Sequence, residues 1–312
     1  MSRVLGVDGG QSGIRLRHSS GRQVVEVEGV SRLEGDTVGS VAAAIAGAWA
    51  TSGFEPVDRA VLGLSTAPTD AEARERLCTL VGRSTRAPEV WLADDAVTTH
   101  AGALSLGWGV SVVAGTGVAC LGVPDRGVAR IIGGHGYLLG DEGGAYWIGR
   151  EGLRAVLRAL DGRGPATDLS AVAARRFEGL DDLGDRLHST PRPVNDIAQF
   201  APDVLDVADA GDPVAKAVAD AATDELVLLI RTAASVVAYG NDAVPVGLGG
   251  RLLDAATPLR RRVDERLRAE APHLATRSAD ASSLDGAIAL GGADDPGRYR
   301  DLVYIWRARE AA

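Results

Sequence analysis

Lysine is almost absent from this 312-residue chain. Of its 33 basic residues, only Lys216 is a lysine. No glycine precedes it, which excludes a P-loop. Cysteine is scarce as well. Cys78 and Cys120 are too few for a four-cysteine zinc or iron–sulfur site within one chain. Such sparing use of cysteine favours a reduced, cytoplasmic protein.

Several functional signatures are also missing. The chain contains neither G-x-G-x-x-G nor G-x-S-x-G, and its five histidines show no H-E-x-x-H spacing. Rossmann dehydrogenase, α/β-hydrolase and metalloprotease interpretations therefore lose their main support. No apolar run approaches the length of about 18 residues that a membrane span needs, so we expect neither export nor insertion. The net charge of −9 argues against nucleic acid and leaves small molecules as expected partners.

The order of predicted elements repeats along the chain. The first set has strands over 3–8, 13–18, 23–28, 59–65 and 89–93, and helices over 36–51, 70–83 and 95–106. The second set has strands over 110–114, 117–123, 128–132, 244–248 and near 273–278, a helical region over 144–240, a helix after residue 250 and a helix from 283. This duplication predicts two α/β lobes, each a mixed sheet in βββαβαβα order, with a cleft between them.

The domain boundaries follow from this repeat. We place the first lobe at 1–107 and the second at 108–294, with the helical region 144–240 inserted in the second. A C-terminal helix over about 295–312 is expected to pack back on the first lobe.

Two hairpins combine glycines with a hydroxyl side chain. They are Asp8, Gly9, Gly10, Gln11 and Ser12 in the first lobe, and Gly115, Thr116 and Gly117 in the second. Successive N–H groups in such turns form a nest for anions, and a carboxylate at the preceding strand end can hold Mg²⁺ through water. Either turn could be a plain hairpin, but their recurrence at one topological place favours phosphate binding.

Acidic residues at a strand end are the candidates for proton transfer. Asp94 and Asp95 follow the strand 89–93 and precede a helix. A helix N-cap is the common role for Asp at such a position. The carboxyl end of a buried strand is also where α/β proteins bind ligands, and a carboxylate there can accept a proton from an attacking hydroxyl.

Glycine concentrates at two further places. Six of the twelve residues over 133–144 are glycine, and the stretch includes Asp141 before a helix. A surface loop with Asp141 as a cap is one interpretation, but the apolar Tyr-Leu-Leu in its middle favours a substrate loop. Gly249 and Gly250, at a strand-to-helix junction, allow adenine or phosphate to approach closely, although packing alone often requires glycine there.

Together these motifs resemble the N-acetylglucosamine kinase group of the BadF/BadG/BcrA/BcrD ATPase family, within the actin-like ATPase superfamily. The resemblance runs through VDGGQS, ADDA, AGTG, GGHGYLLGDEGGAYWIG, GLGG and LDGAIALGGA, and GDEGGAYWIG is its most specific part. It implies duplicated actin-like, or ribonuclease H-like, lobes. It also implies ATP-dependent phosphorylation of an amino sugar, N-acetyl-D-glucosamine to its 6-phosphate first, with glucosamine or another hexose as the alternative.

The resemblance also implies roles for individual residues. Asp95 would be the catalytic base, and Asp8 would lie near Mg²⁺. The implied ATP contacts are Gly9, Gly10, Gln11, Ser12, Gly115, Thr116, Gly117, Gly249 and Gly250. The implied sugar contacts are Asp95, Thr116, Gly134, His135, Gly136 and Asp141. ATP, Mg²⁺, a sugar and a second copy of the chain in a homodimer are therefore the expected cofactors and partners.

Two positions depart from the family pattern. Ser31, Arg32 and Leu33 stand where relatives acting on N-acetylglucosamine commonly carry an Asn, and His135 stands where the animal enzymes often have Trp. The identity of the sugar therefore does not follow from the motifs.

Two rival functions belong to the same superfamily. An ATPase activator would hold an iron–sulfur cluster through a cysteine just before the second turn, where this chain has Val113 and Ala114. A sugar sensor usually adds a DNA-binding domain, whereas this chain starts at the first strand. We therefore favour the kinase.

Overall fold

The computed structural model describes residues 2–10, 13–30, 35–65, 67–237 and 243–308. The chain divides into two compact units. Unit 1 comprises Met1–Ser111, Leu121–Arg130 and Ala279–Ala312, and unit 2 comprises Val112–Cys120 and Ile131–Ser278. Within the described ranges, no helix has the length and apolar character needed to cross a membrane.

Strands and helices follow the predicted order closely. The strands are β1 (Val4–Gly9), β2 (Gly13–His18), β3 (Val24–Glu28), β4 (Arg59–Leu64), β5 (Glu89–Ala93), β6 (Gly109–Ala114), β7 (Val118–Val123), β8 (Arg130–Gly133), β9 (Val244–Gly249), β10 (Leu274–Ser278) and β11 (Val303–Arg307). The helices are α1 (Thr37–Ser52), α2 (Ala71–Thr85), α3 (Asp95–Ala103), α4 (Ala145–Leu160), α5 (Leu169–Arg176), α6 (Leu183–Ser189), α7 (Pro193–Ala198), α8 (Ala201–Asp209), α9 (Pro213–Val237), α10 (Pro258–Glu270) and α11 (Ser283–Gly292), with 3-10 helices at Arg251–Leu253 and Gly297–Leu302.

Both sheets have the same strand order. It is β5-β4-β1-β2-β3 in the first and β10-β9-β6-β7-β8 in the second, and β11 extends the first sheet at its β5 edge. In the first sheet β1, β4 and β5 are parallel, while β2, β3 and β11 run antiparallel to their neighbours. The predicted duplication of a mixed sheet is therefore confirmed.

The C-terminal segment contains a strand, so the prediction of a helix over 295–312 is wrong. Its sequence VYIWR is rich in β-branched and aromatic residues, which favour a strand, and β11 pairs antiparallel with β5. Tyr304 and Trp306 each donate a hydrogen bond to Glu75 of α2, at 2.7 and 3.1 Å. These contacts hold the strand against the α2 face of unit 1.

Helices cover both faces of the first sheet. Alternation along β1 places Leu5 and Val7 in the core shared with α1 and α2. Gly6 faces α11, where a β-carbon at residue 6 would lie 2.8 Å from Ile288. Asp8 is on the same side of β1 as Gly6, because side chains alternate along a strand. The carboxylate of Asp8 therefore belongs to the α3 and α11 face.

Helices α3 and α11 approach closely because each has a glycine at the contact. A β-carbon at Gly286 would collide with the carbonyl of Thr98 and lie 3.0 Å from the α-carbon of Gly102. This packing fixes α3, whose first residue is Asp95. It also places α11 in unit 1, whereas the repeat of elements along the chain predicts this helix in the second lobe.

Unit 2 contains the predicted helical region as α4 to α9. The long helix α9 buries one apolar stripe, which includes Leu226, Ile230 and Val237, as expected for ordinary core. Helix α4 begins at Ala145, directly after the glycine-rich stretch 133–144. The start of α4 therefore anchors one end of that loop.

Candidate active site

Three parallel strands of unit 1 end at one edge of the first sheet. The residues that follow β1, β4 and β5 are Gly10, Ser65 and Asp94. The Ser65 N–H donates to the carbonyl of Gly9 at 2.9 Å. A β-carbon at Gly10 would lie 3.1 Å from the Ser65 hydroxyl oxygen. A glycine turn, a hydroxyl and an acidic pair therefore share the edge where α/β proteins bind ligands.

Ser65 was not among the residues predicted from the sequence. Its one signal is a polar side chain directly after the apolar strand 59–64. Packing explains Gly9 in part, since a β-carbon there would lie 2.6 Å from the Leu64 side chain. The predicted contacts Gln11 and Ser12 lie outside the described residues, as do Ser31, Arg32 and Leu33.

Asp8 is paired with Arg15 on the neighbouring strand. The two residues are opposite each other in the β1–β2 register, and Arg15 Nη2 donates to Asp8 Oδ2 at 2.5 Å. The Asp8 side chain is only 13% exposed, whereas that of Arg15 is 52% exposed. A solvent-facing arginine thus fixes the orientation of a mostly buried carboxylate.

Asp94 and Asp95 have different positions at the start of α3. Asp94 is the N-cap, and its Oδ1 accepts a hydrogen bond from the N–H of Ala96 at 2.9 Å. Asp95 is the first residue of the helix and is half-buried. The capping role that competed with chemistry therefore belongs to Asp94, which leaves Asp95 as the candidate base.

The surroundings of Asp95 favour proton transfer. Burial raises the pKa of its carboxyl well above the ordinary value, and the adjacent carboxylates of Asp94 and Asp8 raise that pKa further. A helix N-terminus favours an anion, but desolvation and like charge outweigh it here. A carboxyl with a raised pKa is a stronger base once deprotonated. Because the charge of Asp8 raises the pKa of Asp95, the candidate Mg²⁺ ligand and the candidate base lie close together.

Buried contacts hold the helix that carries Asp95. Thr98, one turn later, is fully buried, and its hydroxyl shares a hydrogen bond of 2.8 Å with the hydroxyl of Ser283 on α11. Gly63 of β4 leaves the room that this threonine needs, since a β-carbon there would overlap the Thr98 side chain. The position of Asp95 is therefore set by packing rather than by a mobile loop.

In unit 2 the second glycine turn is tied to the start of α4. The Gly115 N–H donates to Gly117 O at 2.9 Å, and the N–H groups of Ala145 and Tyr146 donate to Gly115 O and Thr116 O at 2.8 and 3.0 Å. No described atom outside the neighbouring residues lies within 4 Å of the β-carbon position at Gly115. Internal packing therefore does not explain that glycine, which fits close approach by a ligand.

Asp141 lies against this turn. A β-carbon at Gly117 would collide with the Asp141 carboxylate, whose carbon lies 2.8 Å from that position. Asp141 has a φ of 61°, in the left-handed region that non-glycine residues rarely adopt. The N–H of Gly144 donates to its carbonyl at 3.0 Å and holds the bend. The structure thus brings together two sequence predictions, the turn and Asp141.

The loop 133–144 borders a cavity of about 190 Å³ within unit 2. The lining residues are Val118, Gly133, Gly134, Asp141, Glu142, Glu225, Leu228, Leu229 and Thr232. Two predicted sugar contacts, Gly134 and Asp141, therefore line one cavity. Gly134 and Gly136 have φ values of 72° and 79°, which require glycine. His135 is exposed on the loop and is not part of the lining.

The last glycine pair lies beside the second turn. Gly250 has a φ of 84°, and a β-carbon there would collide with the backbone of Ala114. Ala114 ends β6 and directly precedes Gly115. The structure therefore joins Gly250 to the turn 115–117, as a nucleotide site containing both would require.

The acidic residues of unit 1 fit the predicted Mg²⁺. The carboxylates of Asp8 and Asp95 are hard oxygen donors, and the like charge that raises the pKa of Asp95 is what a divalent cation would offset. No group of three or more His, Cys, Asp or Glu ligands gathers within the described residues. The fit is therefore to a cation that takes its remaining ligands from phosphate and water, as Mg²⁺ commonly does.

The family model of the BadF/BadG/BcrA/BcrD ATPases matches residues 5–274. The chain belongs to this family. The prediction made from its motifs is thereby confirmed, and membership in an ATPase family implies the use of ATP.

Curated relatives of this family member include sugar kinases. An N-acetylmuramic acid/N-acetylglucosamine kinase of Clostridium acetobutylicum is 26% identical over 204 residues, which are 65% of this chain and 67% of that protein. A glucosamine kinase of Vibrio cholerae is 29% identical over 221 residues, which are 69% of this chain and 74% of that protein.

Solved structures confirm the predicted duplicated actin-like α/β fold. A structure from Chromobacterium violaceum, provisionally named an N-acetylglucosamine kinase, has a TM-score of 0.72 and 26% identity, covering 93% of this chain and 99% of that one. A ROK family glucokinase from Streptomyces griseus, in complex with glucose and AMPPNP, has a TM-score of 0.62 at 18% identity, covering 92% and 97%. At 18% identity, the similarity to the glucokinase concerns the fold alone.

The cysteines of this family member do not suit an iron–sulfur activator. Cys78 and Cys120 are both fully buried. Burial raises the pKa of the Cys78 thiol to about 12 and raises that of Cys120 as well. A cluster ligand must be a thiolate, and this burial opposes thiolate formation. The buried cysteines therefore favour a kinase over an iron–sulfur ATPase activator.

Proposed function

We propose that the chain is an ATP-dependent sugar kinase acting on an amino sugar, with N-acetyl-D-glucosamine as the first expected acceptor and its 6-phosphate as the product. The observation that carries this proposal is the contact between Asp141 and Gly117. This contact joins the candidate sugar loop 133–144 to the candidate phosphate turn 115–117, so sugar and phosphate would bind next to each other. The names of the curated relatives support the same substrate class.

Asp95 is the general base of the proposed reaction. The sugar hydroxyl oxygen forms a bond to the γ-phosphorus, and the bond from that phosphorus to the β–γ bridging oxygen breaks, which releases ADP. The proton of the attacking hydroxyl passes to Asp95. Burial and the charges of Asp94 and Asp8 raise the pKa of this carboxyl, so its ionised form is a competent proton acceptor.

Backbone groups bind the nucleotide phosphates. The Gly115 N–H is engaged by Gly117 O, so the donors of this turn are the N–H groups of Thr116 and Gly117 and the Thr116 hydroxyl. They lie next to the open space at Gly115 and act where charge develops on the transferred group. Asp8 would hold Mg²⁺, whose chemistry is to neutralise phosphate charge. Gly249 and Gly250 then form the surface on which adenosine lies, because Gly250 adjoins the residue before Gly115.

The loop 133–144 binds the sugar. A carboxylate such as Asp141 accepts hydrogen bonds from two hydroxyl groups, which a pyranose ring presents on adjacent carbons. Gly134 lines the same cavity as Asp141, and the lack of a side chain leaves room for a ring. Glucosamine is the second acceptor we expect, since the departure at His135 removes a bulky indole from the loop. The expected homodimer stays a prediction.

A panel of acceptors tests the function. Purified protein is supplied with Mg²⁺ and ATP, and ADP release is measured with N-acetylglucosamine, glucosamine, N-acetylmannosamine, glucose and glycerol, with the product identified by mass spectrometry. Turnover on at least one amino sugar supports the proposal. The Asp95→Asn variant, purified in parallel, controls for a contaminating kinase. The proposal is wrong if no hexose or amino sugar is phosphorylated, or if the best acceptor is not a sugar.

A further inference from the structure

Arg251 differs from most arginines of unit 2 because it has no partner within the described chain. On α10, for example, Arg260 and Arg262 are paired with Asp264 and Asp220 at 2.7 Å each. Arg251 is exposed, and no hydrogen bond or ion pair to another described residue engages its side chain. A guanidinium with five free donors is thus available to an anion from solution.

The backbone brings this arginine to the second glycine turn. Arg251 directly follows Gly250, whose β-carbon position is 2.7 Å from the carbonyl carbon and 2.9 Å from the nitrogen of Ala114. Ala114 in turn directly precedes Gly115, the residue with open space above it. The backbone that carries Arg251 therefore lies beside the turn 115–117.

The short 3-10 helix that begins with Arg251 is firmly anchored. Leu252 and Leu253 are buried, and the N–H of Leu253 donates to Gly250 O at 3.0 Å. Thr257 Oγ1 donates to Leu252 O at 2.7 Å. The backbone of Arg251 is thus fixed, while its side chain has no partner among the described residues. A rigid backbone with a free polar side chain is typical of a binding site.

We propose that Arg251 binds the phosphate groups of the nucleotide, an inference that rests on the proposed function. A guanidinium forms two parallel charge-assisted hydrogen bonds to a phosphate, which a backbone N–H group cannot do. The single lysine of the chain is not available for this role, because Lys216 is paired with Asp220 at 2.6 Å. The ligand class is therefore a nucleoside di- or triphosphate whose phosphates lie at Gly115 and whose charge Arg251 offsets.

Binding of a nucleotide series tests the inference. The affinities of ATP, ADP, AMP and adenosine are measured by titration calorimetry for the unaltered chain, Arg251→Ala and Arg251→Lys. Arg268→Ala is the matched control, because Arg268 is also exposed on unit 2 and has no partner among the described residues. We expect Arg251→Ala to weaken ATP and ADP by about tenfold or more while adenosine is unchanged. Arg251→Lys should restore part of the loss, and Arg268→Ala should have no effect.

Two results would overturn the inference while leaving the kinase intact. Unchanged ATP affinity and turnover in Arg251→Ala would mean that Arg251 does not touch the nucleotide. An equal loss for ATP and adenosine would mean that it lies on the base instead of the phosphates. If the unaltered chain binds no ATP, the proposed function fails and this inference fails with it. ATP binding by the unaltered chain therefore distinguishes failure of the Arg251 inference from failure of the proposed function.

Discussion

The carboxylate of Asp141 occupies the space that a side chain at Gly117 would need. We therefore expect Gly117→Ala to displace Asp141 from the turn and to weaken sugar binding by about 10- to 100-fold, the range for a lost hydrogen bond to a charged group. ATP affinity should change much less. Titration calorimetry with each substrate measures the two effects separately.

Gly115→Ala is the matched control, since the β-carbon position at Gly115 is open. That variant should fold as stably as the parent and bind sugar normally. It should weaken ATP if phosphate approaches the backbone there. A sugar affinity reduced equally by both substitutions would contradict the assigned contact between residues 117 and 141.

Asp95→Asn should abolish most phosphoryl transfer. The amide keeps the shape of the carboxyl but cannot accept the proton, a role worth about 10²- to 10⁴-fold in rate. ATP and sugar should still bind, which equilibrium titration measures alongside kcat. Asp94→Asn is the control, because asparagine also caps a helix and should preserve the hydrogen bond to Ala96. Near-normal turnover in Asp95→Asn combined with loss in Asp94→Asn would transfer the role to Asp94.

Thr116→Val and Gly10→Val should both weaken ATP. Valine keeps the volume of Thr116 but removes the hydroxyl donor, and at Gly10 it adds atoms next to the Ser65 hydroxyl, 3.1 Å from the β-carbon position. Thermal unfolding separates a local effect from a loss of folding. If nucleotide affinity stays at the parent value in both variants, neither turn binds phosphate.

Much of the fold could be predicted because local patterns were consistent. Short β-rich runs bounded by glycine turns gave β1, β2, β6 and β7 within one residue of their observed starts. The helix predicted over 295–312 is wrong, because a strand of five residues is not distinguished from a short helix until the edge of β5 is available for pairing. Tertiary pairing, absent from a single sequence, decides such a case.

Candidate site residues could be proposed from the sequence where glycine or charge concentrates, but not where a common residue matters only through its location. Asp95, Asp141 and Gly115 stand in dense motifs, and the roles predicted for them stay predictions. Ser65 stands alone after an apolar strand and becomes visible only when β1 and β4 align. The division of roles between Asp94 and Asp95 also needed coordinates, because either aspartate suits a helix start.

His100 should make stability depend on pH. Its Nδ1 is 2.9 Å from the Tyr299 hydroxyl and its Nε2 is 3.2 Å from Gly109 O. The pKa of His100 is lowered from 6.5 to about 4, chiefly by burial and also by the charge of Arg298, against the hydrogen bond to Gly109, which raises it. The neutral imidazole is thus the folded form.

The sign of the effect follows from proton uptake by the unfolded chain. Between pH 6.5 and about 4, unfolded His100 binds a proton that the folded state excludes, so the stabilisation present above pH 6.5 is lost as pH falls. The loss amounts to about 3 kcal/mol across this window. Urea unfolding at several pH values should give a shallower slope for His100→Gln than for the parent, while His188→Gln, an exposed control, keeps the parent slope. Parallel slopes for all three proteins would mean that folding does not lower the pKa of His100.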